Sequence, residues 1–363
     1  MAELKIDFNH PATIAFYLPQ FHPIPENDQW WGKGFTEWTN VGKAKPLFPG
    51  HYQPHVPADL GYYDLRVPET REQQAEMARQ YGIDGFCYWH YWFGNGKQLL
   101  ERPFNEVLES GRPDFPFCLG WANHSWKIKT WSNEGKFDKL LIEQKYPGVQ
   151  DCKDHFKFVL KAFLDNRYLK IDGKPIFLIW EPESIPKEID YVKIWREEAR
   201  LNRLKGIVFI GFTFYQNKID YIYKLGYDHV VYDAIKDVVE MNKTKKFIKQ
   251  IIRKFFNIPI LINYSDYQKE VLNVVTLKEA LPCVIPNFDH TPRSGKYGLI
   301  LKSSPLHFKN FLIKIKTYLK AGKLTTPIIF IKSWNEWGEG NHLEPDLKYS
   351  KSYLESLKEG LGD

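Results

Sequence analysis

Eight short apolar runs rich in β-branched and aromatic residues recur along the chain, with longer amphipathic segments between them. They are Thr13 to Leu18, Gly85 to Trp89, Phe115 to Trp121, Pro175 to Trp180, Ile207 to Phe212, His229 to Tyr232, Pro282 to Pro286 and Pro327 to Trp334. Strand-length runs separated by helix-length segments are the pattern of repeated βα units on a parallel sheet. Eight is the number a closed barrel needs, so an α/β fold is expected, a (β/α)8 TIM barrel with long βα loops. Helices are expected at Glu69 to Tyr81, Leu99 to Ser110, Gln150 to Asn166, Tyr191 to Asn202, Asp220 to Leu225, as a pair within Lys243 to Ala280, at Leu306 to Ala321 and at Tyr353 to Leu361. A length of 363 residues admits two ordinary domains or one enlarged barrel. No linker, internal repeat or low-complexity tract interrupts the chain, so one domain over 1–363 is expected.

The two ends of the expected strands differ. Helix-to-strand turns are short and plain, such as Tyr81-Gly82-Ile83-Asp84, whereas the strand exits are crowded with aromatic and polar residues. In barrels of this class the exits build the site. The first exit carries Tyr17, Gln20 and His22, then a long insertion with Trp30, Trp31, Glu37 and Trp38. The second carries Tyr88, His90 and Tyr91, the third Trp121 and Asn123, the fourth Trp180, and the seventh Asp289 and Arg293. Aromatic residues reach 16% of the chain, and a mouth lined by rings, amides and charges suits a sugar, whose apolar faces stack while its hydroxyls need directed partners.

After the eighth run comes Ser333-Trp334-Asn335-Glu336-Trp337-Gly338-Glu339-Gly340, with two carboxylates three residues apart. Two readings stand for it. One is a polar turn with a tryptophan plugging the core. The other is an acid/base pair for glycosidic bond cleavage, Glu336 and Glu339, with Trp334 and Trp337 as stacking rings.

Other chemistries are poorly supported. His22, His51, His55, His90, His124 and His290 are scattered singly, without the spacing of a structural zinc site, so no metal is expected. No glycine-rich phosphate loop follows a strand and no Gly-x-Ser-x-Gly elbow occurs, so no cofactor is expected. Cys87, Cys118, Cys152 and Cys283 show no paired spacing and are expected to be buried thiols. The first residues lack the features of a signal peptide and no apolar run reaches spanning length, so a cytoplasmic protein is expected. The net charge of +6 gathers partly in Lys243, Lys245, Lys246, Lys249, Arg253 and Lys254, on an amphipathic basic helix. That helix reads as a solvated outer helix or as a peripheral contact with a membrane or lipid-linked glycan. Its face differs from that of the aromatic mouth, which argues against nucleic acid.

The segments Phe16 to His22, Phe35 to Val41, Tyr88 to Phe93, Trp121 to Asn123 and Trp334 to Trp337 together resemble the glycoside hydrolase family 99-like group, specifically WbsX-type proteins. The likeness runs from about Ala12 to Pro345. It implies a (β/α)8 barrel and an oligosaccharide or polysaccharide substrate. WbsX-type proteins are typically encoded among bacterial lipopolysaccharide O-antigen and capsule genes and are often labelled glycosyltransferases. By relation to family 99 endo-α-mannosidases, the resemblance also implies retaining cleavage through a 1,2-anhydro sugar. Glu336 would deprotonate the sugar 2-hydroxyl, and Glu339 would protonate the leaving oxygen and later activate water. Two positions depart from the pattern. Family 99 enzymes usually carry His where this chain has Gly338, and WbsX-type chains commonly read Trp-Ala-Asn-Glu-Asn-Trp where this chain has Trp121-Ala122-Asn123-His124-Ser125-Trp126.

Barrel geometry alone offers another pair, Glu181 at the fourth strand end and Asp289 after the seventh, with Asp289 and Arg293 otherwise expected to bind sugar hydroxyls or a charged substituent. A glycosyltransferase using the same pocket and a non-catalytic glycan-binding barrel also remain open, although Asp-x-Asp is absent.

Overall fold

The computed structural model describes residues 2–4, 7–132, 135–240, 253 and 258–362. Its centre is a ring of parallel strands: β1 (Ala12–Tyr17), β2 (Gly85–His90), β3 (Phe117–Trp121), β4 (Lys174–Ile179), β5 (Val208–Thr213), β6 (His229–Tyr232), β7 (Leu281–Val284) and β8 (Ile328–Ile331). Each strand pairs in parallel with its neighbours in sequence, and the ring shuts where Ala12 of β1 lies opposite Ile328 of β8. The expected runs are these strands, with every end within three residues of its expected place. The fold is a (β/α)8 barrel.

Around the ring lie α1 (Pro68–Gln80), α2 (Arg102–Ser110), α3 (Val149–Phe163), α4 (Tyr191–Leu201), α5 (Ile219–Lys224), α6 (Tyr264–Lys278), α7 (Pro305–Lys320) and α8 (Ser352–Leu361). Local chemistry starts several of them. Proline stands in the first turn of α1, α2 and α7, where its missing N–H costs nothing. Ser304 accepts the His307 N–H at 3.2 Å to cap α7, and Asp190 accepts that of Lys193 at 3.0 Å to cap α4. The basic helix expected over Lys243 to Lys254 lies outside the described residues, except for Arg253. Among the described residues no helix is long and apolar enough to cross a membrane. All four cysteines are buried free thiols.

Side chains alternate between the barrel interior and the helix layer. Phe16 faces in: its ring lies 4.7 Å from Trp89 on β2, 5.3 Å from Phe330 on β8 and 5.9 Å from Phe212 on β5. Trp180, just past β4, stacks on Phe212 at 4.2 Å. These rings form a floor beneath the strand exits. A Cβ at Gly120 on β3 would meet the Trp89 ring at 3.0 Å, so glycine there leaves room for the indole. Tyr17 faces out, and its hydroxyl donates to Gln74 of α1 at 2.6 Å.

Beyond β8 the chain stays tied to both neighbouring strands. The backbone N–H of Lys332 donates to the Val284 carbonyl at 3.0 Å and that of Trp334 to the Phe16 carbonyl at 2.8 Å. The acidic turn therefore sits on the strand exits.

Candidate active site

Asn335 and Glu336 pair antiparallel with Asn341 and His342, which folds the segment after β8 back on itself. Asn335 fixes this turn to the exit of β1: its side-chain oxygen accepts from the Leu18 N–H at 2.7 Å and its amide donates to the Leu18 carbonyl at 3.0 Å. Trp337 is anchored through its indole N–H, which donates to buried Glu344 at 2.6 Å, and its ring stacks on His342 at 3.7 Å.

Arg293, from the loop after β7, lies between three carboxylates. Its Nη1 is 2.5 Å from Glu339 Oε1 and 3.4 Å from Glu336 Oε1, and its Nη2 is 3.0 Å from Glu37 Oε2. Glu37 comes from the long β1–α1 insertion, so one guanidinium joins three chain segments. His290 lies 3.5 Å from Glu339, and the Ser333 hydroxyl donates to Glu336 at 3.2 Å. Beneath the group, buried Lys332 pairs with Asp233 at 3.1 Å. Burial opposes its charge, but Asp233, then Glu339 and Glu336, hold Lys332 above the ordinary lysine range.

The two glutamates are driven apart. Burial, then the charge of Glu339, pushes Glu336 up to about 7 against the pull of Arg293 and Lys332. Burial alone would raise Glu339 too, but Arg293 and then His290 hold it well below the usual carboxylate range. Of the two, Glu336 holds a proton the more readily and Glu339 keeps its charge. Paired carboxyls with separated affinities are the arrangement that divides acid from base work.

Gly338 explains how Glu37 reaches Arg293. A Cβ at that position would fall 1.8 Å from Glu37 Oε2, so only glycine leaves the carboxylate its place. The departure from the family 99 histidine is thus tied to a third carboxylate in the cluster.

Other expected site residues divide by the way their side chains point. Tyr91 faces the cluster: burial raises its hydroxyl well above the ordinary range, and Glu336 raises it further. Trp180 is half-buried as part of the floor, and Trp31 is exposed and stacks on Phe35 at 5.6 Å. Trp38 packs on Trp337 at 5.4 Å and donates to the Tyr63 carbonyl at 2.7 Å. Gln20 contributes its backbone carbonyl, which accepts from the Glu37 N–H at 3.1 Å.

Several expected contacts need correction, because their side chains are turned away into packing. Tyr17 and Tyr88 pack on one another in the helix layer at 4.4 Å. His90 faces His155 of α3 at 2.8 Å, and Trp121 lies against His155 and Tyr191. Trp334 is fully buried against Phe86, and His22, in the first loop, is buried. Asn123 spends its amide on the backbone of Glu181 and the hydroxyl of Tyr146. Asp289 is a clamp: one oxygen takes His51 and Gln53, both at 2.7 Å, and the other takes the Thr291 N–H at 2.9 Å. Lys332 and Asp233 join the site although nothing in the strand-exit pattern marks them. The available signal for Lys332 is a lysine continuing an apolar run, a placement that burial permits only with a partner.

Comparison with known proteins agrees with this architecture. A glycoside hydrolase-like protein superposes with a TM-score of 0.62 at 14% identity, over 99% of this chain and 95% of that one. The GH99 endo-alpha-mannosidase from Bacteroides thetaiotaomicron, solved with bis-tris-propane, superposes with a TM-score of 0.58 at 14% identity, over 98% and 97% of the two chains. At that identity they show a shared fold. The uncharacterized protein WxcX of Xanthomonas campestris pv. campestris is 35% identical over 365 residues, 97% of this chain and 50% of that protein. The chain thus spans about half the length of the curated relatives it matches. The family described as glycosyltransferase WbsX matches residues 13–357, and this chain belongs to it.

Proposed function

We propose that the chain is a carbohydrate-active enzyme that breaks or remakes a glycosidic bond with retention, on a bacterial polysaccharide or its precursor, with Glu336 and Glu339 dividing the proton work. The observation that carries this is their shared contact. Both Oε1 atoms lie on one guanidinium nitrogen, at 3.4 and 2.5 Å, so they are within about 6 Å of each other. Inverting glycosidases need about 6.5–9.5 Å between their carboxyl groups to admit a water, which this pair does not leave.

The resting charges favour Glu336 as acid and Glu339 as base, the reverse of the division the resemblance implies. A carboxyl held ionised by Arg293 is a poor proton donor. In the first step Glu336 gives its proton to the glycosidic oxygen as the bond to C1 breaks. Glu339 takes the proton of the sugar 2-hydroxyl, whose oxygen closes on C1 as a 1,2-anhydro sugar. In the second step ionised Glu336 takes a proton from the incoming hydroxyl, whose oxygen opens the ring at C1, and Glu339 returns its proton to O2. With water as the incoming group the enzyme is an endo-mannosidase-like hydrolase. With a sugar hydroxyl it is a transferase, a reading favoured by the family description. A cytoplasmic glycan assembly intermediate, lipid-linked and met partly through the basic segment 243–254, fits either outcome.

The test is a glycan-library turnover assay read by mass spectrometry on the chain beside Glu336→Gln and Glu339→Gln. Products formed by the parent and lost in both variants support the proposal, and their mass distinguishes hydrolysis from transfer. Turnover that survives both substitutions overturns it, and binding without turnover in the parent makes the chain a glycan-binding barrel.

A further inference from the structure

Stacked against Trp337, on the return segment after β8, His342 meets His55 from the β1–α1 insertion and Asp346 four residues further on. His55 Nδ1 lies 2.9 Å from His342 Nε2, and His342 Nε2 lies 3.9 Å from Asp346 Oδ2. These donor atoms are all within 4.8 Å of one another, and the residues are 7%, 1% and 2% exposed.

Two observations point beyond a hydrogen-bonded pair of rings. The first is Asp346 itself. Its Oδ1 accepts the backbone N–H groups of Lys348 at 2.9 Å and Tyr349 at 2.6 Å, but its Oδ2 is buried without a hydrogen-bond partner. The 3.9 Å gap to His342 is too long for a hydrogen bond. Lys348, the cation nearest in sequence, sits over the rings of Tyr52 and Tyr349 instead. A buried carboxylate oxygen left bare is costly, and an ion that completes it is one of the few ways to remove the cost.

The second is the orientation of His342. Its Nδ1 lies 2.8 Å from the Glu344 carbonyl oxygen. Only an N–H makes that bond, so in the neutral ring Nε2 presents a lone pair, which takes the His55 Nδ1–H at 2.9 Å until an ion displaces that proton. A backbone carbonyl holding the far nitrogen is the usual way a metal-binding histidine is aimed.

We propose that His55, His342 and Asp346 bind one divalent transition-metal ion, zinc(II) by donor type. Two imidazoles and a carboxylate suit zinc, whereas calcium and magnesium want more oxygens. Donors at about 2.1 Å in a tetrahedron stand about 3.4 Å apart, so the His55–His342 pair has to open by about 0.5 Å and the widest gap, within 4.8 Å, to close by up to about 1.4 Å. That is a side-chain adjustment. The fourth position is left to water.

The ion would tie the β1–α1 insertion, which carries His55, to the segment after β8. It would also stiffen His342, on whose ring Trp337 rests, and so the turn that carries Glu336 and Glu339. The role is positioning, and the inference stands apart from the proposed activity.

The test starts from the full chain stripped with a chelator and dialysed into metal-free buffer. Zinc(II) is titrated by calorimetry and cobalt(II) by visible absorption, on the parent, His55→Gln, Asp346→Asn and a His22→Gln control. Expected are one equivalent of zinc with a raised Tm, tetrahedral cobalt bands, and binding at least roughly tenfold weaker in the first two variants but unchanged in the control. Absence of stoichiometric zinc in the parent overturns the site, as does one equivalent retained at full affinity in both variants. If a variant does not fold, the parent cobalt spectrum decides: tetrahedral bands at one equivalent support the site, and the spectrum of the free aqueous ion rejects it.

Discussion

Gly338 carries more of the chemistry than its lack of a side chain suggests. The 1.8 Å approach of a Cβ to Glu37 Oε2 means that Gly338→Ala must drive Glu37 off Arg293, leaving the guanidinium to the two candidate catalytic carboxylates alone. The expected result is a drop in kcat/KM of at least about tenfold, or about 1.4 kcal/mol. Glu37→Gln should cost a similar amount, and the double variant no more than either single, because both remove one interaction. Additive losses would show that the two residues act separately. The protonation state is testable by pH. With Glu336 as the acid at about 7, kcat/KM should fall as pH rises through about 7, since that profile reports the free enzyme. A rate that climbs through the same range would restore the division in which Glu336 is the base.

At the scale of elements, the eight strands were legible because β-branched and aromatic runs at barrel spacing have few other uses. The phase of each strand was not. On β2 and just past it, Tyr88 and His90 point to the helices while Trp89 and Tyr91 point to the interior and the mouth, and a run of aromatics gives no alternation from which to choose. The loop contacts were illegible for a different reason: His51 and Asp289 stand 238 positions apart and meet only when the ring closes. His51 Nδ1 accepts from the Leu47 N–H at 3.0 Å, so its Nε2 carries the proton given to Asp289. This clamp holds the insertion that delivers Glu37. His51→Ala should therefore lower stability by about 1–3 kcal/mol in urea unfolding and speed proteolysis within residues 43–55. Cleavage there at the parent rate would mean that the insertion is held by other contacts.

For the whole molecule, the closed ring leaves no barrel strand edge unpaired, so stability rests on the ring and its helices while a costly polar cluster sits on the strand exits. In that cluster the carboxylates of Glu37, Glu336, Glu339 and Asp233 face the cations of Arg293 and Lys332. Burial and the neighbouring charge of Glu339 raise the proton affinity of Glu336 in this cluster. Its affinity in the fold, about 7, lies above its ordinary value of 4.5, so the fold gains from Glu336 at low pH and loses that gain as pH rises from 4.5 through 7. The side chain is 13% exposed, and a shift of this size corresponds to about 3 kcal/mol. Glu336→Gln removes the titration while keeping the shape. The variant should lose turnover and yet gain stability relative to the parent across that pH window, with a constant advantage above it, as expected where an active site is built at the expense of the fold. Urea midpoints measured from pH 4 to 9 test this, and parallel curves for the two proteins would place the missing proton on another carboxylate of the cluster.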